Sequence, residues 1–267
     1  MDLGLGAARV IVTGGASNIG RGIVHGFARE HSMVLICDID ADQAERVRKE
    51  ALDLGAADAL VVAADLTLPG AATGVVNAAM TAWSGLDVLV NNAGWSVGEF
   101  LERDDNRARW QRLVEINLFA AVDMTRVAIE AMRAEDSPGG SVVFVASEAA
   151  FGQIRQGVYG ATKAAEVALA RTVAREHGRH GIRSNVVCPG LVLPAGPEAI
   201  GASSLWAGGE DGVFNDKQIN YLLKDTPLGR LTLAEDVANA VVFLSSDVAS
   251  RQVTGQLIAV SGGYTMP

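Results

Sequence analysis

The chain has 267 residues, of which 49% are hydrophobic, and this length and composition exclude a mostly disordered protein. Its 22 lysines and arginines against 31 aspartates and glutamates give a net charge of −9, which disfavours a general surface for nucleic acid. The two cysteines lie far apart and form no cluster with histidine, so we expect neither redox chemistry nor a metal site.

Short runs rich in valine and isoleucine alternate with amphipathic stretches along the chain. The runs predicted as strands are Arg9–Thr13, Met33–Asp38, Ala59–Ala64, Val88–Asn91, Ser141–Ala146, Ser184–Cys188 and Gln256–Val260. The stretches predicted as helices are Ile19–Glu30, Ala41–Leu54, Ala71–Trp83, Arg107–Ala134, Tyr159–His177 and Ala234–Leu244. Most of the strands are apolar throughout, as strands covered on both faces are. The alternation therefore predicts an α/β fold with a parallel sheet and right-handed crossovers.

One segment interrupts this alternation. Leu191–Asp225 is long and contains five glycines, and no strand or helix is predicted in it. Loops of that length are usually functional or disordered, so we expect this segment to be a lid over a substrate site.

A glycine-rich segment, Thr13–Gly22, connects the first strand to the first helix. Glycines at this point let backbone N–H groups approach a pyrophosphate at the N-terminus of the helix. The spacing is not GxGxxG, and Arg21 and Gly22 stand where a P-loop needs Lys and Ser or Thr, so a P-loop NTPase is disfavoured. The alternative is a tight strand–helix turn that binds no ligand.

Asp38 ends the second predicted strand. A carboxylate there can accept hydrogen bonds from both hydroxyls of an adenosine ribose and would repel a 2′-phosphate. No Arg or Lys follows closely, and Ser17 in the glycine segment is uncharged, so the pattern favours NAD over NADP. The alternative is a solvated aspartate at the end of a strand.

The densest set of chemically useful residues is Ser147, Tyr159 and Lys163, with Asn117 upstream. Tyr159 and Lys163 are four positions apart on a predicted helix, so they share one face. A nearby ammonium favours the phenolate form of tyrosine, which otherwise has a pKa near 10. Tyr159 is therefore a candidate acid–base group, and Ser147, at the carboxyl end of a strand, could hold a substrate oxygen.

These segments together resemble the short-chain dehydrogenase/reductase family from about Val10 to Met266. TGGASNIG is similar to that family's TGxxxGxG, Asp65 with Leu66 to its adenine-contacting aspartate, and Asn91–Gly94 to its NNAG. Asn117, Ser147, Tyr159 and Lys163 match its catalytic tetrad, and Cys188–Gly190 carries its Pro-Gly step beside the nicotinamide.

The resemblance implies a single doubly wound Rossmann-type domain over 1–267, with seven parallel strands in the order 3-2-1-4-5-6-7, helices on both faces and the lid at about 191–225. It implies reversible hydride transfer between a secondary alcohol and NAD⁺. In that reaction Tyr159 takes the hydroxyl proton, Ser147 orients the oxygen, Lys163 bonds the nicotinamide ribose and Asn117 anchors a water. The expected cofactor-binding residues are Gly14, Ser17, Asn18, Ile19, Gly20, Asp38, Ile39, Asp65, Leu66, Asn92, Ala93, Gly94, Tyr159, Lys163, Pro189, Gly190 and Val192.

The chain departs from the family pattern at three points. Asn18 replaces a loop glycine, but asparagine tolerates left-handed backbone better than most residues, so the turn can survive. Ser147 and Tyr159 are one residue closer than in many relatives. Pro194 stands where relatives often have a threonine, so nicotinamide anchoring would rely more on backbone, for example at Val192.

We expect substrate contacts from Trp95, Glu148, Phe151, Gln153 and the lid, including Trp206, Phe214 and Tyr221. Loop packing is the alternative for Trp95, and a surface carboxylate is the alternative for Glu148. Sequence similarity points to a cyclic or β-hydroxyacyl-CoA substrate; the alternatives are a free secondary alcohol, diol or sugar, and remotely a dinucleotide sensor without catalysis.

Partners and location follow from the same analysis. Relatives are mostly homotetramers, so we expect a homotetramer. No secretory signal is visible and no apolar run approaches roughly 18 residues, so we expect a cytoplasmic protein with no membrane or nucleic-acid partner.

Overall fold

The computed structural model describes residues 2–102, 106–133, 139–202 and 216–267, the last segment with side chains from 219 onward. Its strands are β1 (Arg9–Thr13), β2 (Met33–Asp38), β3 (Asp58–Ala63), β4 (Val88–Asn91), β5 (Gly140–Val145), β6 (Ile182–Pro189) and β7 (Leu257–Val260). Its helices are α1 (Asn18–Arg29), α2 (Ala41–Asp53), α3 (Ala71–Trp83), α4 (Arg107–Val114), α5 (Ala120–Met132), α6 (Gly157–His177), α7 (Asp216–Asp225) and α8 (Ala234–Ser245).

The seven strands form one sheet in the order β3-β2-β1-β4-β5-β6-β7, and every neighbouring pair is parallel. This confirms the predicted sheet and strand order. The order reverses direction between β1 and β4, and ligands of such sheets bind at this switch point, outside the carboxyl ends of the strands.

Apolar side chains cover both faces of the sheet, as the apolar strands predict. Val10 and Val12 of β1 belong to a buried cluster with Phe27 of α1 and Val241 of α8. Ile11 of the same strand faces the opposite cluster, which contains side chains of α3, α5 and α6. Alternate residues of one strand therefore pack against helices on opposite sides, which is the doubly wound arrangement.

Two predicted segments differ from the structure. The single helix predicted over Arg107–Ala134 is divided into α4 and α5 by a π-helical segment, Glu115–Phe119. Such one-turn insertions do not disturb the apolar periodicity enough to be predicted and are frequent at functional sites. The segment predicted as one long loop, Leu191–Asp225, contains a short 3₁₀ turn at Pro197–Ala199 and the helix α7. No helix in the described part of the chain is long and apolar enough to cross a membrane.

Candidate active site

The glycine turn after β1 is held by the segment that follows β4. The hydroxyl of Thr13 accepts hydrogen bonds from the backbone N–H groups of Asn92 and Ala93, both at 3.0 Å. The Asn92 side chain donates to the carbonyls of Thr13 and Gly14 at 3.0 and 2.9 Å. A Cβ on Gly14 would lie 2.8 Å from the Cα of Ala93, and one on Gly20 would meet the Gly14 carbonyl. The turn therefore carries no side chain at Gly14 or Gly20, and its exposed backbone suits a pyrophosphate.

Asn18, the first residue of α1, has a φ of 41°, so the left-handed conformation expected of it is confirmed. Its side-chain amide donates to the carbonyl of Val192 at 3.1 Å, which ties the glycine turn to the chain just after β6. The hydroxyl of Ser17, which precedes the helix, makes no capping bond to it. The N–H groups at the start of α1 are thus directed to the carboxyl edge of the sheet.

A cleft of about 940 Å³ opens at this edge. Twelve of the predicted cofactor residues line it, namely Gly14, Ser17, Asn18, Ile19, Gly20, Asp38, Ile39, Asp65, Leu66, Asn92, Ala93 and Gly94. Pro189, Gly190 and Val192 are not part of its lining; they lie at the end of β6, where the N–H of Gly190 donates to the carbonyl of Val260 at 2.9 Å. The structure therefore brings most of the predicted cofactor residues to one surface.

Two carboxylates mark the far side of the cleft. Asp38 accepts from the N–H groups of Ala16 and Asp40 at 2.9 and 3.0 Å, while burial raises its pKa. Asp65 accepts from the hydroxyl and N–H of Thr67 at 2.7 and 3.0 Å, which lowers its pKa. Asp38 ends β2 with its side chain inside the cleft, so it is not merely a solvated residue at a strand end.

The start of the lid reaches this same end of the cleft, a contact that the sequence analysis missed. Asp40 caps α2 with one oxygen and accepts from the N–H of Ala202 with the other, at 2.8 Å. The amide of Gln43 donates to the carbonyl of Glu198 at 2.8 Å, and Gly201 lines the cleft. A Cβ on Gly201 would lie 2.9 Å from Asp40 Oδ2, so a side chain there would have to displace the Asp40 carboxylate that holds Ala202.

Ser147, Tyr159 and Lys163 meet at the carboxyl ends of β5 and β6. Ser147 follows β5 and accepts from the N–H of Ala149 at 3.1 Å, and its hydroxyl is hydrogen-bonded to that of Tyr159. Gly160 lets α6 approach this turn, because a Cβ there would lie 2.5 Å from the carbonyl of Ala149. Burial raises the pKa of Tyr159, while Lys163 and the bond to Ser147 oppose that rise.

Lys163 is buried and doubly held. Its ammonium donates to the carbonyl of Val145 at 2.9 Å and to Oε1 of Glu166 at 2.8 Å. Both members of the ion pair are almost fully buried, with side-chain exposures of 3% and 1%. The sequence analysis did not single out Glu166, although a glutamate three residues after the lysine on one helix is a visible signal.

Asn117 lies in the π-helical segment and clasps the backbone of Trp95. Its Oδ1 accepts from the N–H of Trp95 at 2.7 Å, and its Nδ2 donates to the carbonyl of Trp95 at 2.9 Å and to Thr162 Oγ1 at 3.2 Å. A Cβ on Gly94 would lie 3.4 Å from Asn117 Oδ1 and 3.5 Å from Lys163 Nζ. The cleft and the Tyr159–Lys163 pair therefore adjoin at Gly94.

The expected substrate residues do not form one set. Trp95 lines the cleft beneath the guanidinium of Arg112, and Phe151 is about half exposed. Gln153 is hydrogen-bonded to Tyr264, a residue that the sequence analysis did not name. Trp206, like Phe214, lies outside the described residues.

Glu148 differs from the others because its carboxylate is partly desolvated. Its Oε2 is buried and has no hydrogen-bond partner among the described residues, and burial raises its pKa to about 7. It lines a small pocket beside Ser147 whose other walls include Gly190, Leu222, Thr226 and Tyr264. This arrangement does not agree with a carboxylate on an open surface.

Comparison with known proteins gives the family. Residues 14–265 match a family model described as enoyl-(acyl carrier protein) reductase, with the motifs named above in their usual order. The chain belongs to the short-chain dehydrogenase/reductase family. It is therefore an oxidoreductase with that family's Rossmann-type fold.

Three members of the family illustrate the likeness. The chain is 33% identical over 258 residues to (2S)-[(R)-hydroxy(phenyl)methyl]succinyl-CoA dehydrogenase subunit BbsD of Thauera aromatica, covering 96% of each chain. It is 34% identical to cis-4-hydroxycyclohexanecarboxylate dehydrogenase of Sinomonas cyclohexanicum, covering 96% of this chain and 95% of the other. A solved structure of 7α-hydroxysteroid dehydrogenase with NADH and 7-oxo glycochenodeoxycholic acid superposes with a TM-score of 0.87 at 30% identity, over 98% and 96% of the two chains. All three are dehydrogenases by name. Among the described residues, the chain has no group of three or more His, Cys, Asp or Glu side chains that could hold a metal ion.

Proposed function

We propose that the protein is an NAD-dependent dehydrogenase that interconverts a secondary alcohol and a ketone. One observation chiefly supports this proposal: Tyr159, hydrogen-bonded to Ser147 and on the same helix face as Lys163, adjoins a cleft that contains Asp38. An acid–base group and a candidate dinucleotide site thus lie side by side, which hydride transfer to or from a nicotinamide requires.

NAD suits the cleft better than NADP does. Asp38 would accept hydrogen bonds from the ribose hydroxyls, and with Asp40 it would repel a 2′-phosphate. The bare backbone of the glycine turn and the start of α1 would hold the pyrophosphate. When bound there, the cofactor supplies the hydride chemistry.

The protein's own groups would then handle the proton and the substrate oxygen. Tyr159, as phenolate, would take the proton of the alcohol, and Ser147 would orient and polarise the oxygen. The Lys163 ammonium stabilises the phenolate against the effect of burial. A water anchored at Asn117 would use the backbone carbonyl of that residue, because its side-chain amide is bonded to Trp95 and Thr162.

The proposed substrate is a cyclic secondary alcohol or a β-hydroxyacyl-CoA. Two relatives support this choice by their names, one a dehydrogenase of a hydroxy(phenyl)methylsuccinyl-CoA and one a dehydrogenase of a hydroxycyclohexanecarboxylate. A free diol or sugar is the second candidate, and one observation favours it. The buried Oε2 of Glu148, which has no partner among the described residues, lies beside Ser147 and suits a second hydroxyl as donor.

A screen of NAD⁺ reduction tests the function. The panel contains cyclic secondary alcohols, β-hydroxyacyl-CoA thioesters, diols and sugars, and each is repeated with NADP⁺. We expect turnover with at least one member and a clear preference for NAD⁺. Equal rates with NADP⁺ would contradict the argument from Asp38, and no turnover across the panel would contradict the proposed function.

Tyr159→Phe separates an enzyme from a dinucleotide sensor. The substitution removes only the phenol oxygen, so the variant is expected to bind NADH, as measured by fluorescence titration, and to lose turnover. A variant that kept its turnover would contradict the role given to Tyr159.

A further inference from the structure

Glu166 is a buried carboxylate beside Lys163 that the mechanism above does not use. It is three residues after Lys163 on α6, its side chain is 1% exposed, and its Oε1 is 2.8 Å from Lys163 Nζ. Its Oε2 is also buried and has no hydrogen-bond partner among the described residues. An ammonium has three donors, and Glu166 and the Val145 carbonyl use two of them, which fixes the direction of the third.

Few charged groups surround this pair. Lys163 interacts with Glu166 and Tyr159 on its own helix and with Cys188 on β6; Tyr159 interacts with those groups and with Ser147 after β5. Burial lowers the pKa of Lys163, but Glu166 and Tyr159 outweigh that effect, so the ammonium is retained. Cys188 is buried with a pKa of about 12, so it stays neutral. Glu166 is therefore the negative charge that faces Lys163.

We propose that Glu166 is a positioning residue, which fixes the Lys163 ammonium beside Tyr159 and shifts the working range of the dehydrogenase to higher pH. This inference rests on the proposed function. The ion pair holds the ammonium in place, and the same negative charge opposes ionisation of the phenol. Burial raises the pKa of Glu166, and the Lys163 ammonium opposes that rise, so the ion pair is what keeps the carboxylate charged.

The sign of the effect follows from the charges. Alcohol oxidation needs Tyr159 as phenolate, and a carboxylate in its surroundings raises the pKa of that phenol. Glu166→Gln keeps the shape and removes the charge. Tyr159 still raises the pKa of Lys163, and the Val145 carbonyl still accepts from its ammonium, so the ammonium is retained when the phenolate forms and ionisation of Tyr159 should occur at lower pH. A purely structural role for Glu166 would lower the activity of the folded variant without moving the acid limb of its pH profile.

The test is the pH dependence of kcat/KM for alcohol oxidation. In Glu166→Gln the acid limb is expected to move by about one pH unit to lower pH. Glu176→Gln, an exposed position near the end of the same helix, is the matched control and is expected to keep the wild-type profile. Glu166→Asp, which retains the charge, should stay near the wild-type limb. Superimposed profiles for wild type and Glu166→Gln, or a shift to higher pH, would overturn the proposal.

Two further measurements cover the case in which Glu166→Gln does not fold and the case in which no substrate is found. If Glu166→Gln does not accumulate as folded protein, Glu166→Ala replaces it, since alanine is the best helix former. The acid limb of its profile is expected to move to lower pH in the same way. Ionisation of Tyr159 can also be followed by the absorbance of tyrosinate, with Tyr159→Phe as the blank. That titration needs no substrate, so it separates a failure of this inference from a failure of the proposed function.

Discussion

At the residue scale, single positions of unusual conformation or charge define the site. Asn18 has left-handed backbone at the start of α1, where it also reaches Val192. The carboxyl group of Glu148 lines a partly buried pocket, and that of Glu166 is buried in an ion pair with Lys163. Each of these features is unfavourable for folding taken alone, which is common at functional sites.

The left-handed backbone of Asn18 leads to a stability prediction. A β-branched side chain is strained at this φ, so Asn18→Val should lower the free energy of unfolding by about 1–3 kcal/mol and weaken NADH binding. Asn18→Gly is the matched control, because glycine adopts this conformation freely. Thermal unfolding and NADH titration measure both effects, and equal behaviour of the two variants would contradict the strain.

Burial of Glu148 predicts a pH-dependent stability. Its pKa of about 7 lies above its ordinary value of 4.5, so the folded state retains a proton that the unfolded chain has lost. The free energy of unfolding therefore falls as pH rises from about 4.5 to about 7. Glu148→Gln removes this loss and should be more stable than wild type at pH 8, by roughly 1–2 kcal/mol, with no difference near pH 4.

Thermal unfolding at the two pH values measures the difference. Glu130→Gln, on the exposed part of α5, is expected to show no such change. If Glu148→Gln is less stable than wild type at pH 8, then Glu148 has a partner that favours its ionised form. The stated cause of the pKa shift would then be wrong.

At the element scale, the π-helical segment between α4 and α5 decides where Asn117 lies. The clasp on both backbone groups of Trp95 fixes the loop after β4, which forms the boundary between the proposed cofactor cleft and the Tyr159–Lys163 pair. Thr162, from the helix that carries Tyr159 and Lys163, joins the same network. One side chain therefore connects three elements.

Removal of this clasp should affect stability and turnover together. Asn117→Ala leaves the N–H and carbonyl of Trp95 without their buried partners, a loss of about 1–3 kcal/mol. We expect a lower unfolding temperature and a lower kcat, with a smaller change in the KM for NAD⁺. Asn117→Asp retains the acceptor for the Trp95 N–H, so its unfolding temperature and kcat should lie between those of wild type and Asn117→Ala. Unchanged kcat in the alanine variant would contradict this role.

The sequence predicted the elements more fully than the contacts. Strands such as β1 and β2 are apolar throughout, so their positions and parallel pairing follow from pattern alone. Tyr159 and Lys163 are four apart on one helix, which fixes their common face. The π-helical turn, the burial of Glu166 and the contact between Asp40 and Ala202 depend on which distant segments pack together. Helical periodicity carries no information on such partners.

At the scale of the whole molecule, the sheet ends in two edges, β3 and β7, and every residue of β7 is only partly buried. Phe119, at the junction of the π-helical segment with α5, is 50% exposed. An edge strand and an exposed phenylalanine are features that a subunit contact would cover.

We expect the protein to be a homotetramer, as the family resemblance implies. Sedimentation velocity should give a mass four times that of the 27.8 kDa chain. Phe119→Asp should favour smaller species if α5 packs against a second copy, whereas Leu68→Asp, exposed before α3, should not. A monomeric wild-type protein would contradict the prediction.

The contact of Asp40 with Ala202 has a consequence for the order of events. It joins the start of the lid to the rim of the cleft beside Asp38, where the adenosine would lie. A nucleotide that enters or leaves by that rim would first have to displace the lid from Asp40 and Gln43. Coenzyme exchange in the proposed dehydrogenase would then be coupled to the opening of this contact.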